Sequence, residues 1–191
     1  MSLETKVLYI QSSVDEKFRL ILDKKWGSEN KTHRAGIRSC LATDFANHFS
    51  RAQLAQLNDL TWLPEASDGS ISISHCEHLG GFAYSKFKAG FDVEIITRIS
   101  ARVLKRTASQ DELAACPVPE FLWVAKEAGF KALSDSDPGL VISELVCFEW
   151  QSHIENQVFS FRLKSQKTLD FGLNKGFIFS EGVCLFAIFL K

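Results

Sequence analysis

The sequence lacks the features that mark several large classes of protein. Its 191 residues contain no Cys-x-x-Cys pair, and the formal net charge is only -1. Because proteins that bind nucleic acids usually have a basic excess, this balance argues against a general polyanion-binding protein. Any anionic ligand must therefore meet a local basic cluster. No stretch approaches the roughly 18 consecutive apolar residues of a membrane span.

Targeting features are also missing from the start of the chain. The stretch MSLETKVLYIQSS does not have the basic, then apolar, layout of a signal peptide. Five cysteines are spread widely along the chain: Cys40, Cys76, Cys116, Cys147 and Cys184. This spacing indicates reduced, mostly buried thiols in a reducing compartment. We therefore expect a cytoplasmic protein with neither a membrane nor a nucleic acid as partner.

Apolar residues are plentiful, at 46% of the chain with 16 phenylalanines. That is enough for one substantial core or two small halves packed together. The patterns of the first half predict a strand near 5–10, helical structure over 15–25 and 31–49, a short helix to about 57, a strand over 71–75 and two strands within 80–95 around a turn at 88–90. Helices and strands are therefore mixed from the start.

The second half repeats this mixture in a different order. A basic helix is predicted over 100–106, and Ser109 with Glu112 fits a capping box that opens another. Pro119 suits the first turn of a longer helix, which should end at the turn residues 134–139. The remainder is rich in strands, and its apolar last strand suits a place inside a sheet. We predict an α+β fold with an N-terminal half at 1–89 and a C-terminal half at 90–191.

The segment GFDVE (90–94) places two carboxylates two residues apart on a predicted strand. Period-two geometry points Asp92 and Glu94 to the same face. Neighbouring carboxylates repel, and the pKa of one is raised unless a cation lies between them. Mg²⁺ accepts one or two carboxylates together with waters and phosphates. The alternative for this pair is an ordinary solvated strand face.

The segment FLWVAKEAGFKAL (121–133) is apolar almost throughout but contains charges. At roughly 100° per residue, Glu127 and Lys131 lie about 40° apart on a helix. Buried charges are costly unless they are paired or bound to a metal. Glu127 is therefore a candidate third metal ligand, with Lys131 either paired to it or meeting a phosphate. The alternative is an i,i+4 ion pair that contributes only ~0.2–0.5 kcal/mol.

A third motif, ISISHC (71–76), ends a strand directly before a Gly-Gly turn. Ser74 and His75 there can donate hydrogen bonds to a phosphate or pyrophosphate. The alternative for His75 is a packed histidine with one satisfied nitrogen. A nucleophilic pair of His75 with Cys76 is disfavoured, because sequence neighbours on a strand point to opposite faces.

In this order, the three motifs resemble those of the 4′-phosphopantetheinyl transferases, specifically the longer two-half type that activates surfactin synthetase. That family has a Ser-His strand, a Gly-x-Asp-x-Glu strand and a helix with Trp-x-x-Lys-Glu-Ala/Ser-x-x-Lys. The matching positions are Ser74, His75, Gly90, Asp92, Glu94, Trp123, Lys126, Glu127, Ala128 and Lys131. The resemblance covers about residues 71–133, with a weaker echo in THRAGIRSCL (32–41) of the helix that lines the coenzyme pocket.

The resemblance implies two similar α/β halves related by a pseudo-twofold axis, with the active site at their interface. It implies that coenzyme A and Mg²⁺ bind, and that a serine of an apo acyl or peptidyl carrier protein attacks the β-phosphate. The phosphopantetheine arm then moves to the serine, and 3′,5′-ADP leaves. Asp92, Glu94 and Glu127 would hold the metal. Glu127, or a water it orients, would be the base, while Lys131 and His75 would contact phosphates.

Two departures from the family pattern affect the coenzyme pocket. A Gly-Lys-Pro segment often precedes the Ser-His strand, whereas this chain has LPEASDGS (63–70). Ala35 stands where a small hydroxyl residue is often found. By the resemblance, Arg34 with Lys24, Lys25 or Arg19 is the candidate for binding the 3′-phosphate of coenzyme A.

Three arginines follow the predicted metal strand at four-residue spacing, Arg98, Arg102 and Arg106. They would share one helical face if the helix began early enough. The stripe resembles the helix by which these transferases meet the acidic recognition helix of a carrier protein, where opposite potentials speed encounter. A solvated face is the alternative. Because two halves in one chain supply both walls of the site, we expect a monomer.

Two other functions fit the same residues. One is an inactive relative that binds coenzyme A or a nucleotide, suggested by the missing Gly-Lys-Pro segment. The other is a different Mg²⁺-dependent enzyme that hydrolyses a phosphate substrate, which the carboxylates alone would permit.

Overall fold

A computed structural model describes residues 2–14, 17–59, 63, 65–165 and 174–191. Within those residues the protein has six α-helices and two antiparallel sheets, so the predicted α+β class is confirmed. The helices are α1 (Leu3–Val14), α2 (His33–Asp44), α3 (Arg51–Gln56), α4 (Ala101–Thr107), α5 (Gln110–Ala115) and α6 (Pro119–Leu133). The strands are β1 (Arg19–Asp23), β2 (Ser70–His75), β3 (Gly80–Ser85), β4 (Ala89–Ile95), β5 (Leu145–His153), β6 (Val158–Ser165), β7 (Lys175–Glu181) and β8 (Cys184–Leu190).

The strands form a three-stranded sheet in the order β1-β3-β2 and a five-stranded sheet in the order β4-β8-β7-β6-β5. The last strand, β8, lies inside its sheet, as its apolar sequence predicts. The chain passes from one sheet to the other between Ser85 and Ala89. This change lies close to the predicted boundary, although the division into halves at 1–89 and 90–191 and their pseudo-twofold symmetry stay predictions.

Three apolar clusters arrange these elements in layers. The first lies between α6 and one face of the five-stranded sheet. The second takes residues from both sheets, including Phe18, Ala83, Phe91 and Phe186, so the two sheets pack face to face. The third lies between α2 and the outer face of the three-stranded sheet, around Trp26. A helix therefore covers the outer side of each sheet.

The N-terminal predictions were wrong in element type. The stretch predicted as a strand near 5–10 belongs to α1, because Leu3, Val7, Ile10 and Val14 recur at helical spacing and pack against the second cluster. The predicted helical stretch over 15–25 contains β1, and Leu20 of this strand and the preceding Phe18 are buried in the core. Residues 15 and 16 of that prediction lie outside the described residues.

Later predictions were closer to the structure. The helix predicted over 31–49 is the shorter α2 followed by a 3₁₀ turn at Ala46–His48, and the two strands within 80–95 exist as β3 and β4. The predicted turn at 88–90 was misplaced, because Ala89 and Gly90 already belong to β4. The Ser109–Glu112 capping box and Pro119 in the first turn of α6 are confirmed. No helix among the described residues is long and apolar enough to cross a membrane.

A seam joins the two sheets where β2 runs beside β4. The hydroxyl oxygens of Ser70, Ser72 and Ser74 accept hydrogen bonds from the backbone N–H groups of Ala89, Phe91 and Val93, at 3.2, 2.9 and 3.3 Å. Alternate serines of β2 thus satisfy alternate donors on the edge of β4, a period-two match that only a strand can make. We call this set of three hydrogen bonds the serine seam.

Helix α6 lies directly over β4 at Gly90. A Cβ atom at this position would come 1.8 Å from the carbonyl oxygen of Ala128, so a side chain there would force the helix away from the strand. The close approach brings the polar face of α6 against the carboxylates of β4.

Candidate active site

The three sequence motifs meet at Ser74, the last serine of the serine seam. Lys131 of α6 reaches across to β4, where its Nζ lies 2.8 Å from Oδ1 of Asp92 and 3.1 Å from the carbonyl oxygen of Phe91. The same ammonium donates to Oγ of Ser74 at 3.1 Å, and the Ser74 hydroxyl donates to Asp92 Oδ1 at 2.9 Å. One residue from each motif therefore joins a single hydrogen-bonded group.

The group formed by Ser74, Asp92 and Lys131 is largely shielded from solvent. Asp92 is only 7% exposed, and its ion pair with Lys131 stands in a site that excludes much of the solvent. Lys131 pairs with Asp92 rather than making the i,i+4 pair with Glu127 that spacing alone allowed. Glu94 lies next along the same face of β4, and its Oε1 accepts from the backbone N–H of Ile95 at 2.8 Å.

Glu127 lies half-buried on α6 beside these strand carboxylates. Burial raises the pKa of its carboxyl, and the negative charges of Asp92 and Glu94 raise it further, while Lys131 acts in the opposite direction. Three acidic groups thus influence one another across the α6–β4 interface. A cation placed nearby would favour the ionised form of the Glu127 carboxyl.

A cavity of about 570 Å³ opens beside this group. Its described lining residues come from α2, β2, α6 and Leu63: Arg34, Ile37, Arg38, Leu63, Ile71, Ser72, Ile73, Ser74, His75 and Lys131. The volume is in the range typical of pockets for small organic ligands. Both apolar and cationic side chains line the cavity, which suits a ligand with an apolar part and anionic groups.

The cationic side of the cavity contains donors without partners. Arg38 is only 8% exposed, and its Nη1 is buried with no hydrogen-bond partner among the described residues. Burial lowers the pKa of this guanidinium, with Arg34 adding to the effect against the opposing charge of Asp59. Since unpaired buried donors are costly, an anion at this position would stabilise the arrangement.

His75 completes the basic side of the cavity. Its ring packs edge-on against His33 with the centroids 4.3 Å apart, and its Nδ1 is buried without a partner among the described residues. Burial lowers the pKa of His75, and nearby His33, Arg34 and Lys131 lower it further. A histidine surrounded by this much positive potential marks a place where an anion would be favoured.

The structure brings some predicted residues together and leaves others outside. Ser74, His75, Lys131 and Arg34 line the cavity, with Asp92 directly behind Lys131. Lys24 and Lys25, predicted to bind the coenzyme, lie exposed in a 3₁₀ turn and are not among the described residues that line the cavity. Their backbone turn is capped by Asp23, which fixes its direction.

The resemblance placed residues 32–41 beside the coenzyme pocket, but sequence reasoning did not single out Arg38 or His33 within that segment. Arg34 and Arg38 are four residues apart, which places them on one face of α2; this spacing was the available signal for Arg38. No comparable signal pointed to His33, because its position follows from the way α2 packs beside the end of β2.

The predicted arginine stripe is divided between two elements. Arg98 lies in a 3₁₀ turn at Ile96–Arg98, whereas Arg102 and Arg106 lie one turn apart on α4, which Ser100 caps. The condition for all three to share one helical face, an early start of the helix, is not met, because α4 begins only at Ala101. All three side chains are exposed.

Within the described residues, no group of three or more histidine, cysteine, aspartate and glutamate side chains is placed as a metal-binding cluster. Mg²⁺ does not require one, since it commonly takes one or two carboxylates with waters and substrate phosphates. The donors of Asp92, Glu94 and Glu127 are hard oxygens, and the raised pKa of Glu127 comes partly from the other two charges. The donor set therefore fits a divalent cation chemically.

The comparisons with known proteins found no match for this chain: no protein-family model and no curated protein matches it. The resemblance to the phosphopantetheinyl transferases therefore rests on the three sequence motifs.

Proposed function

We propose that this protein transfers the 4′-phosphopantetheine arm of coenzyme A to a serine of an apo carrier protein, with release of 3′,5′-ADP, within the phosphopantetheinyl transferase fold. The observation that supports this most is the convergence of Ser74, Asp92 and Lys131, one from each motif, at the edge of the 570 Å³ cavity. Residues that are far apart in sequence and belong to three ordered motifs rarely meet by chance beside a pocket.

The cavity suits coenzyme A because four basic side chains line it, Arg34, Arg38, His75 and Lys131. We assign Lys131 and His75 to the pyrophosphate, and Arg34 and Arg38 of α2 to the 3′-phosphate. Arg38 thereby supplies a basic contact in a chain that lacks the family's Gly-Lys-Pro segment. The apolar residues Ile37, Leu63 and Ile71 also line the cavity.

In the proposed reaction, Glu127 takes the proton of the carrier serine as its oxygen attacks the β-phosphate, either directly or through a water. A carboxyl whose pKa is raised is a stronger base once ionised, which suits this role. Lys131 offers an ammonium to the departing phosphate oxygens, and Asp92 and Ser74 hold its Nζ in place. Asp92, Glu94 and Glu127 would hold Mg²⁺, which offsets negative charge on the pyrophosphate when bound.

Thermal stabilisation by added ligands tests the transferase proposal against its two alternatives, the binding-only relative and the Mg²⁺-dependent hydrolase. We expect coenzyme A with Mg²⁺ at about 100 times its Kd to add about 2.7 kcal/mol to the free energy of unfolding. ATP with Mg²⁺ at the same concentration should add clearly less, because ATP lacks the pantetheine arm and the 3′-phosphate and should bind more weakly. Stronger stabilisation by ATP would favour a nucleotide hydrolase instead, and no shift with either ligand would contradict a phosphate-binding cavity. Stabilisation by coenzyme A without any arm transfer would favour the binding-only relative.

For the carrier, we propose that α4 docks an acidic helix. Arg102 and Arg106 are exposed one turn apart, and a second cavity of about 290 Å³ beside them is lined partly by Val103, Trp123 and Ile142. The basic residues would steer the carrier, and the apolar groove would accept its hydrophobic side chains. The protein acts as a cytoplasmic monomer in this proposal.

Charge reversal on α4 tests the docking surface. In Arg102→Glu/Arg106→Glu we expect KM for the carrier to rise about tenfold or more at low salt, because electrostatic steering is lost, while KM for coenzyme A stays unchanged. The matched control is Lys164→Glu/Lys175→Glu, which changes the net charge equally on exposed residues of β6 and β7. If carrier KM is the same in both double variants, α4 is not the docking surface.

A further inference from the structure

Two buried thiols meet at the end of the serine seam. The Sγ of Cys76, which follows His75 directly, lies 3.7 Å from the Sγ of Cys184, the first residue of β8. The two residues are 108 positions apart in sequence, and both are free thiols, 4% and 6% exposed. Cys76 follows the last residue of β2 in the three-stranded sheet, and Cys184 begins β8 in the five-stranded sheet, so their contact bridges the two layers.

The contact follows from the register of the strands. Ser70, Ser72 and Ser74 point from β2 toward β4 at period two, and Cys76 takes the next position in that series. On the other side, Cys184 is paired with Ile95 of β4, two residues beyond the partner of Ser74. Cys76 thus meets a thiol where the three preceding residues of the series meet backbone N–H groups.

The Cys76 loop is fixed in place by its backbone. The Cys76 N–H donates to the carbonyl oxygen of Leu79 at 2.8 Å, and its own carbonyl oxygen accepts from the N–H of Ser28 at 2.8 Å. Gly27 lies so close to the loop that a Cβ there would come 2.4 Å from the carbonyl oxygen of Glu77. The sulfur of Cys76 is therefore held towards β8 by a tightly packed turn.

The two thiols also differ in chemical character. The hydrogen bond with Cys184 and those from the backbone N–H groups of His78 and Leu79 lower the pKa of Cys76 to about 6, against the opposing effect of burial. The same contact with Cys76, together with burial, raises the pKa of Cys184. Cys76 is thus the thiol that ionises more readily and reacts first, and the Cys184 sulfur lies close enough to attack it once it is oxidised.

The remaining cysteines lack such a partner within the described residues. Cys116 donates to the carbonyl oxygen of Val118 at 3.0 Å, and burial raises the pKa of its thiol to about 12. Cys40 donates to a carboxylate oxygen of Asp44, and burial followed by that hydrogen bond raises its pKa to about 11. Oxidation should therefore distinguish Cys76 from these two.

We propose that Cys76 and Cys184 form a reversible disulfide when the protein meets a small peroxide, and that this bond locks the two sheets together beside His75. The Cys76 thiolate attacks one oxygen of hydrogen peroxide, which gives a sulfenic acid and, after protonation, one water. The Cys184 sulfur then attacks the Cys76 sulfur, the S–S bond forms and a second water leaves. Two thiols are oxidised and one peroxide is reduced, and the sulfurs move from 3.7 Å to the roughly 2.05 Å of an S–S bond.

Burial selects the oxidant and predicts the effect on stability. With both residues almost fully covered, hydrogen peroxide can reach the sulfurs, while a bulky disulfide such as oxidised glutathione is excluded. The bond closes a loop of more than a hundred residues in the unfolded chain, and long loops are where a cross-link restricts the unfolded state most. The oxidised protein should therefore unfold at a higher temperature than the reduced protein.

The test treats the reduced full-length protein with hydrogen peroxide, then alkylates the remaining thiols under denaturing conditions and measures the intact mass. We expect two fewer alkyl groups per chain, a cross-linked peptide pair containing Cys76 and Cys184, a raised Tm, and reversal of all three by dithiothreitol. Full alkylation of every cysteine after peroxide, or a cross-link between other cysteines, would overturn the proposal. This readout does not depend on the transferase assignment.

Two variants test whether Cys184 is the disulfide partner of Cys76. Cys116→Ser, which removes a buried thiol outside the pair, should still form the disulfide. Cys184→Ser should form none and should instead leave Cys76 as a sulfenic acid that dimedone traps. If Cys184→Ser still loses two alkylation sites, Cys184 is not the partner and the proposal is wrong.

Discussion

Glu127→Gln is expected to reduce arm transfer by about 10²–10⁴-fold, the usual contribution of a general base, without unfolding the protein. The amide keeps the size of the side chain but can neither accept the serine proton nor supply an anionic oxygen to Mg²⁺. The measurement is the initial rate of carrier modification at saturating coenzyme A and Mg²⁺, followed by intact mass.

The same variant should be more stable than the wild type when Mg²⁺ is absent. The folded-state pKa of Glu127 is raised above its ordinary value of 4.5 by burial and by Asp92 and Glu94. The folded protein therefore binds more protons than the unfolded chain between those two values, so stability falls as pH rises through that window. Glutamine removes this penalty, and near neutral pH in EDTA the variant should show a higher Tm.

The control for both effects is Glu155→Gln, since Glu155 is an exposed glutamate in a 3₁₀ turn outside the site. It should leave the rate and the Tm unchanged. A Glu127→Gln variant with the wild-type rate would remove Glu127 from the mechanism. A variant that loses activity together with stability would show that Glu127 supports the fold instead.

Lys126→Met should cost the protein about 3–5 kcal/mol of stability, the usual effect of breaking a buried ion pair. Lys126 is fully buried, and its Nζ lies 2.8 Å from Oε1 of Glu112 and also donates to the carbonyl oxygen of Thr107. The Glu112 carboxylate accepts from the backbone N–H groups of Ser109 and Cys147 as well. Without Lys126 this buried carboxylate keeps its negative charge but loses its counter-ion. The measurement is Tm, which should fall by about 6–20 °C for a chain of this length.

Two further variants separate lost charge pairing from lost packing. Lys105→Met removes an exposed lysine of α4 and should change stability by less than about 0.5 kcal/mol. Glu112→Gln combined with Lys126→Met removes both charges, keeps a capping-box residue at the start of α5, and should recover part of the lost stability. Equal Tm values for the single and double variants would contradict an unpaired Glu112 as the cause.

The different partners of Lys126, Glu127 and Lys131 explain why the buried helix α6 contains charged residues. Lys126 turns toward α5 and completes a structural ion pair. Lys131 turns toward β4 and lines the cavity, and Glu127 lies near the carboxylates of β4 without lining the cavity. Sequence spacing placed Glu127 and Lys131 on a common sector, and the structure brings both to the carboxylates of β4. Spacing could not show that Lys131 would choose Asp92 as its partner, because that depends on how closely α6 approaches Gly90.

Local patterns were sufficient where one interaction determined the outcome. The Ser109 capping box, Pro119 and the apolar last strand each follow from short-range chemistry, and the structure confirms all three. At the N-terminus, by contrast, the letters VLYI fit both a strand and one face of a helix. Packing of Ile10 against the five-stranded sheet and the ion pair of Lys6 with Glu181 belong to the helical form. Glu181 lies 175 residues from Lys6 along the chain, so local reading could not find this partner.

The candidate site was predictable for the residues that belong to motifs and much less so for those around the cavity. Ser74, His75, Asp92 and Lys131 meet as the motif order implied. The side of the cavity formed by α2 depends on how that helix packs on the three-stranded sheet. That packing brings Arg38 into the lining and leaves Lys24 and Lys25 at the surface.

The most direct test of the proposed function is the intact mass of an apo carrier protein after incubation with this protein, coenzyme A and Mg²⁺. The proposal predicts that the carrier gains the mass of one phosphopantetheine group, that 3′,5′-ADP appears in equal amount, and that EDTA prevents both. Fatty-acid, peptide-synthetase and polyketide carriers should each be tried, since the site does not name one. No mass gain on any of them, under conditions where coenzyme A binds, would contradict the transferase assignment.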